Sequence, residues 1–387
     1  MRKRSLLIEY ALFIPVILLL VGCDAGEEVR GERDTVASSR LSELLSPEDL
    51  QGYPLALEPR AFSFPEDHGP HPAYRNEWWY VTGNLDAAGD QRFGFELTIF
   101  RFALAPAGEP RPVEAASAWA TNQVYIGHFA LTDVEAERFH VAQRYARGAL
   151  GLAGAQAKPL RVWVEDWYLQ ESTTGIWSLR AFDGDVKLTL SLEALKPPVL
   201  NGAGGLSQKS SERGNASYYY SVPRLRAEGT LSVGDDAHDV SGLAWLDREW
   251  GSSALSDEQV GWDWFALQLS DGSELMYYNL RRTDGSNDPH SAGTFVPLEG
   301  DGMYLSRDGV TVEVKDYWDS PRGGRYPMGW TIEVPQLDLV LRVDPVLEAQ
   351  ELDTNVRYWE GAVNVAGERA GNSVVGRGYV ELTGYAR

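Results

Sequence analysis

The chain has 387 residues, of which 43% are hydrophobic and 11% aromatic, enough apolar material for one large core or two ordinary ones. Its formal charge of −21 argues against a nucleic-acid partner, because an acidic surface repels a polyanion. The 39 glycines and 20 prolines indicate many turns, and 13 tryptophans with 18 tyrosines favour an all-β fold.

The N-terminus has the pattern of a bacterial export signal. Basic residues at positions 2–4 precede an apolar segment that is too short and wrongly flanked for a stable membrane span. Leu20–Cys23 matches the lipobox, although Glu9 inside the apolar segment departs from the pattern. We predict cleavage after residue 22 and acylation of Cys23, which would tether the protein to a membrane of the cell envelope, facing the periplasm. Inner and outer membrane both stay open.

Residues 23–60 are polar and acidic with few aromatic side chains. This composition predicts a flexible, acylated tether, with one short helix near residues 41–45. Cys23 is the only cysteine, so no disulfide can form within the chain.

From residue 61 onward, alternating apolar and polar residues separated by turn residues predict β-strands. Only residues 142–150 have a pattern that favours a helix. The predicted strands are 78–85, 93–102, 118–131, 160–169, 186–195, 225–233, 240–246, 262–269, 274–281, 310–314, 330–334, 337–343, 358–365 and 374–382.

Two segments of the chain resemble each other. WWYVTGNLD at 78–86 aligns without a gap with WDWFALQLS at 262–270, and the strands that follow also match and end in Arg101 and Arg281. This repetition indicates two similar β-units, with chance similarity between alternating strands as the alternative. We place an N-terminal barrel at 61–250 and a C-terminal barrel at 251–387.

Several longer stretches carry a resemblance to a known family. They are HPAYRNEWWYVTGNL, RYARGALGLAGA, VWVEDWYL, GLSQKS, ASYYYS, AWLDREWGSS, GWDWFALQLSDGSELMYYNLR, RYWEGAVNVAG and GRGYVELTGY. In these motifs the chain is similar to the AttH-like / carotenoid 1,2-hydratase family of calycin-type proteins. The resemblance implies two consecutive lipocalin-like antiparallel barrels.

The tryptophans of the repeated motif have a structural interpretation. In lipocalin-like barrels a tryptophan on the first strand commonly plugs the closed end. We therefore expect Trp78 or Trp79 to pack in the first barrel, and Trp262 or Trp264 in the second. The neighbouring Glu77 and Tyr80 are further candidates for contact with a ligand.

The carboxylates near these tryptophans suggest acid chemistry. Hydration of an isolated alkene needs a proton donor, which a carboxylic acid supplies when burial keeps it protonated, and aromatic faces to stabilise a cation. In the carotenoid hydratases the suspected donor is an Asp flanked by aromatic residues, and the resemblance carries this role to Asp263, with Asp247 as the second choice. Glu249 is a third candidate acid. The tryptophans, among them Trp245 beside Asp247, are candidates to bind the ligand and stabilise the cation. A hydrogen-bonded strand end or a structural ion-pair cluster is the alternative for these carboxylates.

Alternation separates these candidates by face. Trp262 and Trp264 should share one face of a strand, with Asp263 on the other. In the same way Trp245, Asp247 and Glu249 should share a face. Both segments flank the junction of the two predicted barrels, so they can converge there.

Other motifs give weaker indications of function. His68 and His71 with Asp67 have loose metal-like spacing but lack the ligand set of a zinc site, and we predict no metal and no cofactor. His128 is interpreted as a core histidine. Ser207 and Lys209 would form a hydrolase pair, yet nothing marks an oxyanion hole.

Three functions remain open. The first, which we favour at this stage, is a lipoprotein that binds an apolar ligand such as a lipid or isoprenoid. The second is a hydratase that adds water to an isoprenoid double bond. The third is an accessory protein of a membrane transport complex. An apolar cavity that contains a buried, protonated carboxyl would favour the second.

Overall fold

A computed structural model of the protein describes residues 50–107, 117–173, 175–252 and 255–386. Its regular structure is almost entirely antiparallel β, in two sheets, which confirms the predicted fold class. One sheet closes into a nearly complete barrel, and the other remains a half-barrel. Cys23 and the helix predicted near 41–45 lie outside the described residues. Within the described ranges, no helix is long and apolar enough to cross a bilayer.

The first sheet has thirteen strands. They are β1 Asn76–Asp86, β2 Arg92–Ala103, β3 Gln123–Asp133, β4 Arg138–Arg147, β5 Ala153–Gln156, β6 Arg161–Val164, β7 Trp167–Thr173, β8 Ile176–Asp183, β9 Val186–Ala194, β10 Val199–Leu200, β11 Leu206–Gln208, β12 Ala216–Val233 and β13 Asp236–Gly251. Their order is β4-β3-β2-β1-β13-β12-β9-β8-β7-β6-β5, and β10 and β11 also pair with β12.

The second sheet has ten strands. They are β14 Gln259–Leu269, β15 Glu274–Arg282, β16 Ala292–Val296, β17 Met303–Ser306, β18 Thr311–Asp319, β19 Arg325–Val334, β20 Leu339–Pro345, β21 Glu351–Leu352, β22 Tyr358–Arg369 and β23 Asn372–Leu382. The order is β17-β16-β15-β14-β23-β22-β20-β19-β18, with β21 on β22. Short 3-10 helices occupy Glu66–His68, Ala88–Asp90, Arg307–Gly309 and Pro335–Leu337.

The predicted helix at 142–150 is wrong. Most of this segment belongs to strand β4, which pairs with β3 from Val124↔Arg147 to Asp133↔Arg138. The pairing with β3 outweighs the local preference of the segment, because strand formation depends strongly on cross-strand neighbours.

The apolar side chains form separate cores. One fills the first barrel, and a second fills the concave side of the second sheet. A third cluster lies between the two sheets and joins residues of both, including Tyr80, Trp245 and Trp264. The sheets therefore pack against each other through aromatic side chains that belong to neither interior.

The repeated motif forms equivalent hairpins, β1–β2 and β14–β15, but their plugs differ. Trp79 is buried in the first barrel, with its ring centroid 4.0 Å from the guanidinium carbon of Arg248. Asp263 takes the equivalent place in the second sheet and bonds to Arg281. The expectation of a tryptophan plug therefore holds for Trp79 and fails for Trp262 and Trp264, which face the space between the sheets.

The last residues of the predicted tether pack on the first barrel. Tyr53 donates a hydrogen bond to the carbonyl of Ala103 (2.8 Å), and the Ser252 hydroxyl donates to the carbonyl of Pro54 (2.6 Å). Ala56 is fully buried. The apolar run of residues 53–57 explains this contact, because it removes hydrophobic surface from water.

Candidate active site

Strands β13 and β14 bring the predicted acids and aromatic rings to the space between the sheets. On β13, Asp247 and Glu249 face this space, whereas Leu246 and Trp250 point into the first barrel. Trp262 and Trp264 face it from β14. The side chains thus follow the alternation of an extended strand.

A cavity of about 90 Å³ lies at this junction. Half-buried apolar side chains form its rim, and buried polar and aromatic side chains form its floor. The rim includes Trp78, Phe100, Leu255 and Trp262, and the rest of the lining consists of Tyr80, His128, Lys209, Tyr219, Asp247, Glu249, Trp264, Tyr278, Leu280, Val356, Tyr358 and Glu381.

Asp247 is a buried carboxyl that keeps a proton near neutral pH. Its Oδ1 accepts hydrogen bonds from the Ser221 hydroxyl (2.5 Å) and Trp245 Nε1 (2.7 Å), and its Oδ2 accepts one from Tyr219 (2.5 Å). Burial raises the pKa of Asp247 to about 7, although these three hydrogen bonds act to lower it. Neutral and ionised forms therefore coexist at physiological pH.

A second carboxyl, Glu381 on β23, lines the cavity from the other sheet. It accepts a hydrogen bond from Trp262 Nε1 at 3.1 Å. The pKa of Glu381 is raised to about 7, mainly by burial and in smaller part by the charges of Glu249 and Asp247, although the Trp262 hydrogen bond acts to lower it. The cavity therefore holds two carboxyls that exchange protons in the same pH range, one from each sheet.

Lys209 and Glu249 form an ion pair in the lining. Lys209 Nζ lies 3.0 Å from Glu249 Oε1 and 4.4 Å from the ring centroid of Tyr278. Burial acts to lower the pKa of Lys209, but Glu249 and the nearby tyrosine outweigh it and the net shift is upward. The Lys209 ammonium therefore stays charged. The Ser207 hydroxyl forms a hydrogen bond with the Tyr278 hydroxyl (2.9 Å). This geometry gives no support to a Ser–Lys nucleophile.

His128 is neutral and orients a tyrosine of the lining. Burial lowers the pKa of His128 to about 3. Its Nε2 is 2.7 Å from the Gln143 amide nitrogen, and its Nδ1 is 2.7 Å from the Tyr358 hydroxyl. With the amide donating to Nε2, Nδ1–H donates to Tyr358. The Tyr358 hydroxyl hydrogen then has no acceptor among the residues that the structure describes, so it is available to a ligand.

A second group of buried acids lies behind the cavity. The Tyr80 hydroxyl donates to Glu360, and both carboxylate oxygens of Glu96 are buried without a hydrogen-bond partner among the described residues. Burial raises the pKa of Glu96 and Glu360 well above the usual range. Burial therefore favours the protonated form of both side chains, because an uncompensated charge in such surroundings costs free energy.

Asp263, the first-choice proton donor, does not face the cavity. Its Oδ1 accepts hydrogen bonds from Arg281 Nε (3.0 Å) and the Tyr385 hydroxyl (2.9 Å) on the inner side of the second sheet. Burial raises its pKa, and Arg281 acts against that shift. This position matches the structural alternative for Asp263.

Glu77 also lies away from the cavity, although it follows the same motif. Its carboxylate is fully buried and contacts Arg248 (2.6 Å), Arg101 (2.8 Å) and His71 Nδ1 (2.8 Å). Burial acts to raise the pKa of Glu77, but Arg248, His71 and Arg101 outweigh it and lower the pKa strongly. Among the residues that the structure describes, no group of His, Cys, Asp and Glu is arranged to hold a metal ion.

Sequence reasoning missed Tyr219, Tyr358 and Glu381 as parts of the site. The run of three tyrosines at 218–220 is a sequence signal for Tyr219, and in the structure strand β12 sets Tyr219 opposite Glu249. No local pattern distinguishes Glu381, whose strand belongs to the other sheet.

The chain is similar to known proteins in sequence and in fold. A profile of the AttH-like family matches residues 55–385. The structure of an AttH protein from Nitrosomonas europaea is 34% identical, has a TM-score of 0.76, and covers 86% of this chain and 99% of that one. Kievitone hydratase from Nectria haematococca has a TM-score of 0.64 at 15% identity, covers 86% of this chain and 98% of that one, and thus shares the fold.

A curated relative is the dehydratase asqC of Emericella nidulans. It is 25% identical over 214 residues, which are 51% of this chain. The match spans 58% of the length of that relative.

Proposed function

The chain belongs to the AttH-like family, and from this premise we propose that its cavity catalyses addition of water to, or removal of water from, a carbon–carbon double bond of an apolar substrate. The observation that carries the proposal is Asp247, a buried carboxyl in a cavity whose rim is apolar. The names of the two relatives, a hydratase and a dehydratase, support the reaction class. The resemblance to carotenoid hydratases makes isoprenoid alkenes the first class to test.

The arrangement supports a balanced acid–base sequence. In hydration, neutral Asp247 donates its proton to one alkene carbon, and a carbocation forms at the other. The faces of Tyr219 and Trp264 stabilise that cation, by about 2 kcal/mol or more in a desolvated site. Water attacks the cation and releases its proton to ionised Glu381. A proton then returns from Glu381 to Asp247 through solvent, and dehydration is the reverse sequence.

A second function, storage or transfer of an apolar ligand, is favoured by one observation. Aromatic and aliphatic side chains dominate the lining, as expected for a site that holds a hydrophobic molecule. The two functions differ in their outcome: a carrier releases its ligand unchanged, whereas a hydratase releases it with one water more or less.

The test uses the protein without its signal segment, incubated with acyclic isoprenoids, unsaturated lipids and their tertiary alcohols. Mass spectrometry of the organic extract detects gain or loss of one water. We expect Asp247→Asn to lower the rate about 10²- to 10⁴-fold, because the proton donor is lost. Asp263→Asn is the matched control, since it removes a buried carboxyl outside the cavity. An active Asp247→Asn variant would contradict the assignment, and a ligand retained unchanged would make the protein a carrier.

A further inference from the structure

One end of the first barrel exposes a group of large apolar side chains. Leu104, Trp119 and Leu150 are 58%, 53% and 56% exposed, and Tyr145 is 44% exposed. We call these four residues the apolar end. Burying such side chains in a protein core or a lipid phase is favourable, so their exposure together indicates a contact surface.

Backbone hydrogen bonds show that these residues lie together. The Leu104 amide donates to the carbonyl of Asn122 (2.7 Å), just before β3. The Gly148 amide donates to the carbonyl of Gln123 (2.9 Å), which joins the end of β4 to the same place. Arg147 reaches the Trp119 carbonyl at 3.5 Å. The ends of β2 and β4 and the start of β3 therefore meet at one edge of the barrel.

The charge of this part of the chain differs from that of the whole. The protein has 56 acidic and 35 basic residues, but segments 117–132 and 138–164 contain no Asp or Glu. Of the basic residues in the second segment, Arg144 pairs with Asp166 and Lys158 with Glu66, and Arg138 lies at the opposite end of β4 from Arg147. The apolar end is therefore much closer to neutral than the chain as a whole, and buried apolar area rather than charge would stabilise its contact with a lipid surface.

The N-terminal segment leaves the barrel at the same end. Tyr53 bonds to the carbonyl of Ala103, next to Leu104. A Cβ added to Gly52 would lie 2.8 Å from Pro106 Cγ, so the chain passes close to this loop. The sequence then continues toward Cys23, where we predict the acyl anchor. An anchored chain would therefore hold this end near the membrane.

The apolar end is continuous with the rim of the cavity. Phe100 lies on the rim, and it packs with Trp262 against the buried pair Phe102 and Ile126. Phe102 is two residues from Leu104, and Ile126 pairs across strands with Tyr145. Apolar side chains thus lead from the exposed surface to the cavity.

We propose that the apolar end rests on a phospholipid bilayer and that the cavity takes its apolar substrate from the lipid phase. The substrate's entry rests on the proposed function, but the contact with the bilayer does not. Exposed apolar side chains bind such interfaces by burying apolar area in the lipid.

The test is flotation of residues 24–387, which contain every described strand and lack the predicted acyl site. Vesicles consist of phosphatidylcholine, which carries no net charge. We expect the unaltered chain to float with the vesicles. The triple variant L104S, W119S and L150S should bind the vesicles at least about tenfold more weakly. The control triple L298S, Y317S and V375S changes residues of the second sheet and its β16–β17 loop that are 62%, 48% and 56% exposed, and it should bind normally.

Two results would overturn the proposal. One is an unaltered chain that stays with the unbound fraction, and the other is an equal loss of flotation in the two triple variants. Flotation needs no turnover, so failure of the proposed reaction would leave this result unaffected. In detergent, where the substrate needs no bilayer, we expect the first triple variant to turn over as fast as the unaltered chain.

Discussion

Asp247 shows how a single residue is tuned by opposing effects. Burial favours its neutral form, while Ser221, Tyr219 and Trp245 favour the ionised form by donating hydrogen bonds. The outcome near pH 7 suits a general acid, because the group both holds and releases a proton at physiological pH.

This balance predicts a pH dependence for hydration. The rate should fall as the pH rises through about 7, since the raised pKa means that the acid form is present below that value and lost above it. In Ser221→Ala a donor to the carboxylate is lost, so the pKa of Asp247 should rise and the falling limb should move to higher pH. The measurement is kcat/KM against pH.

Ser217→Ala is the matched control for that experiment. The Ser217 hydroxyl donates to Glu249 rather than Asp247. A limb that moves equally in both variants, or moves to lower pH in Ser221→Ala, would contradict the assignment of the limb to Asp247.

Tyr358 provides a second prediction at this scale. His128 Nδ1–H donates to the hydroxyl oxygen, so the hydroxyl hydrogen is not used in that bond and is available to a ligand. For substrates that carry an oxygen near the double bond, Tyr358→Phe should raise KM about tenfold, the effect of one lost hydrogen bond of about 1.4 kcal/mol. Steady-state kinetics with an oxygen-free alkene serve as comparison, and an equal rise in KM there would exclude this role.

At the scale of elements, the two equivalent hairpins hold their ends in different ways. The β1–β2 hairpin buries Glu77 between Arg101 and Arg248, whereas the β14–β15 hairpin holds Asp263 with Arg281 and Tyr385. Arg248 and Arg101 are almost fully buried, so they depend on Glu77 for charge compensation.

Removal of these carboxylates should therefore have unequal effects on stability. Glu77→Gln should lower the free energy of unfolding by about 3–5 kcal/mol, because it leaves buried guanidinium groups without a counter-charge. Asp263→Asn should cost roughly 1 kcal/mol, since burial already opposes the charged form and Arg281 is partly exposed. Urea denaturation of both variants gives the comparison, and equal losses would show that the arginines do not need Glu77.

Element-level sequence patterns predicted much of this arrangement. Alternation separated Asp247 from Arg248 and Asp263 from the neighbouring tryptophans, because side chains of an extended strand alternate whatever the fold. The helix predicted at 142–150 failed because the cross-strand partners in β3 are not visible within a local window. The β-unit repeat was visible, but the closure of each sheet was not.

At the scale of the whole molecule, buried acids lie where the two sheets meet. Glu96 comes from the first sheet and Glu360 from the second, and burial raises the pKa of both well above the usual range. Because the pKa values of both groups are raised in the folded state, folding favours their protonated forms. The free energy of unfolding is therefore highest below the ordinary carboxyl pKa of 4.5 and falls progressively as the pH rises above it.

Glu96→Gln should therefore reduce the loss of stability that accompanies a rise in pH above about 5. Each unit of pKa shift corresponds to about 1.4 kcal/mol, so the variant should gain relative to the unaltered protein as the pH rises from 5 to about 9. Thermal unfolding across this range measures the effect. A variant with the same pH dependence as the unaltered protein would show that Glu96 is already ionised or solvated.

The limits of sequence analysis are clearest at this scale. The fold class, the two units and the acid Asp247 were within reach of local patterns and family resemblance. Glu381, Tyr358 and His128 join the site only because two sheets pack face to face, and no spacing in the chain encodes that packing. Asp263, the favoured acid, lies on the strand face opposite Trp262 and Trp264, and the packing of the sheets puts the cavity on the tryptophan side.

None of the residues that line the cavity belongs to the core of either sheet. Mutations that alter the lining therefore leave the two interiors intact, and mutations that repack an interior leave the lining in place. Selection could exchange one substrate for another along this junction while each sheet keeps its own core, provided that the aromatic contacts between the sheets are kept. A scaffold of this kind is evolvable, and directed evolution confined to the junction is the natural way to give it a new reaction.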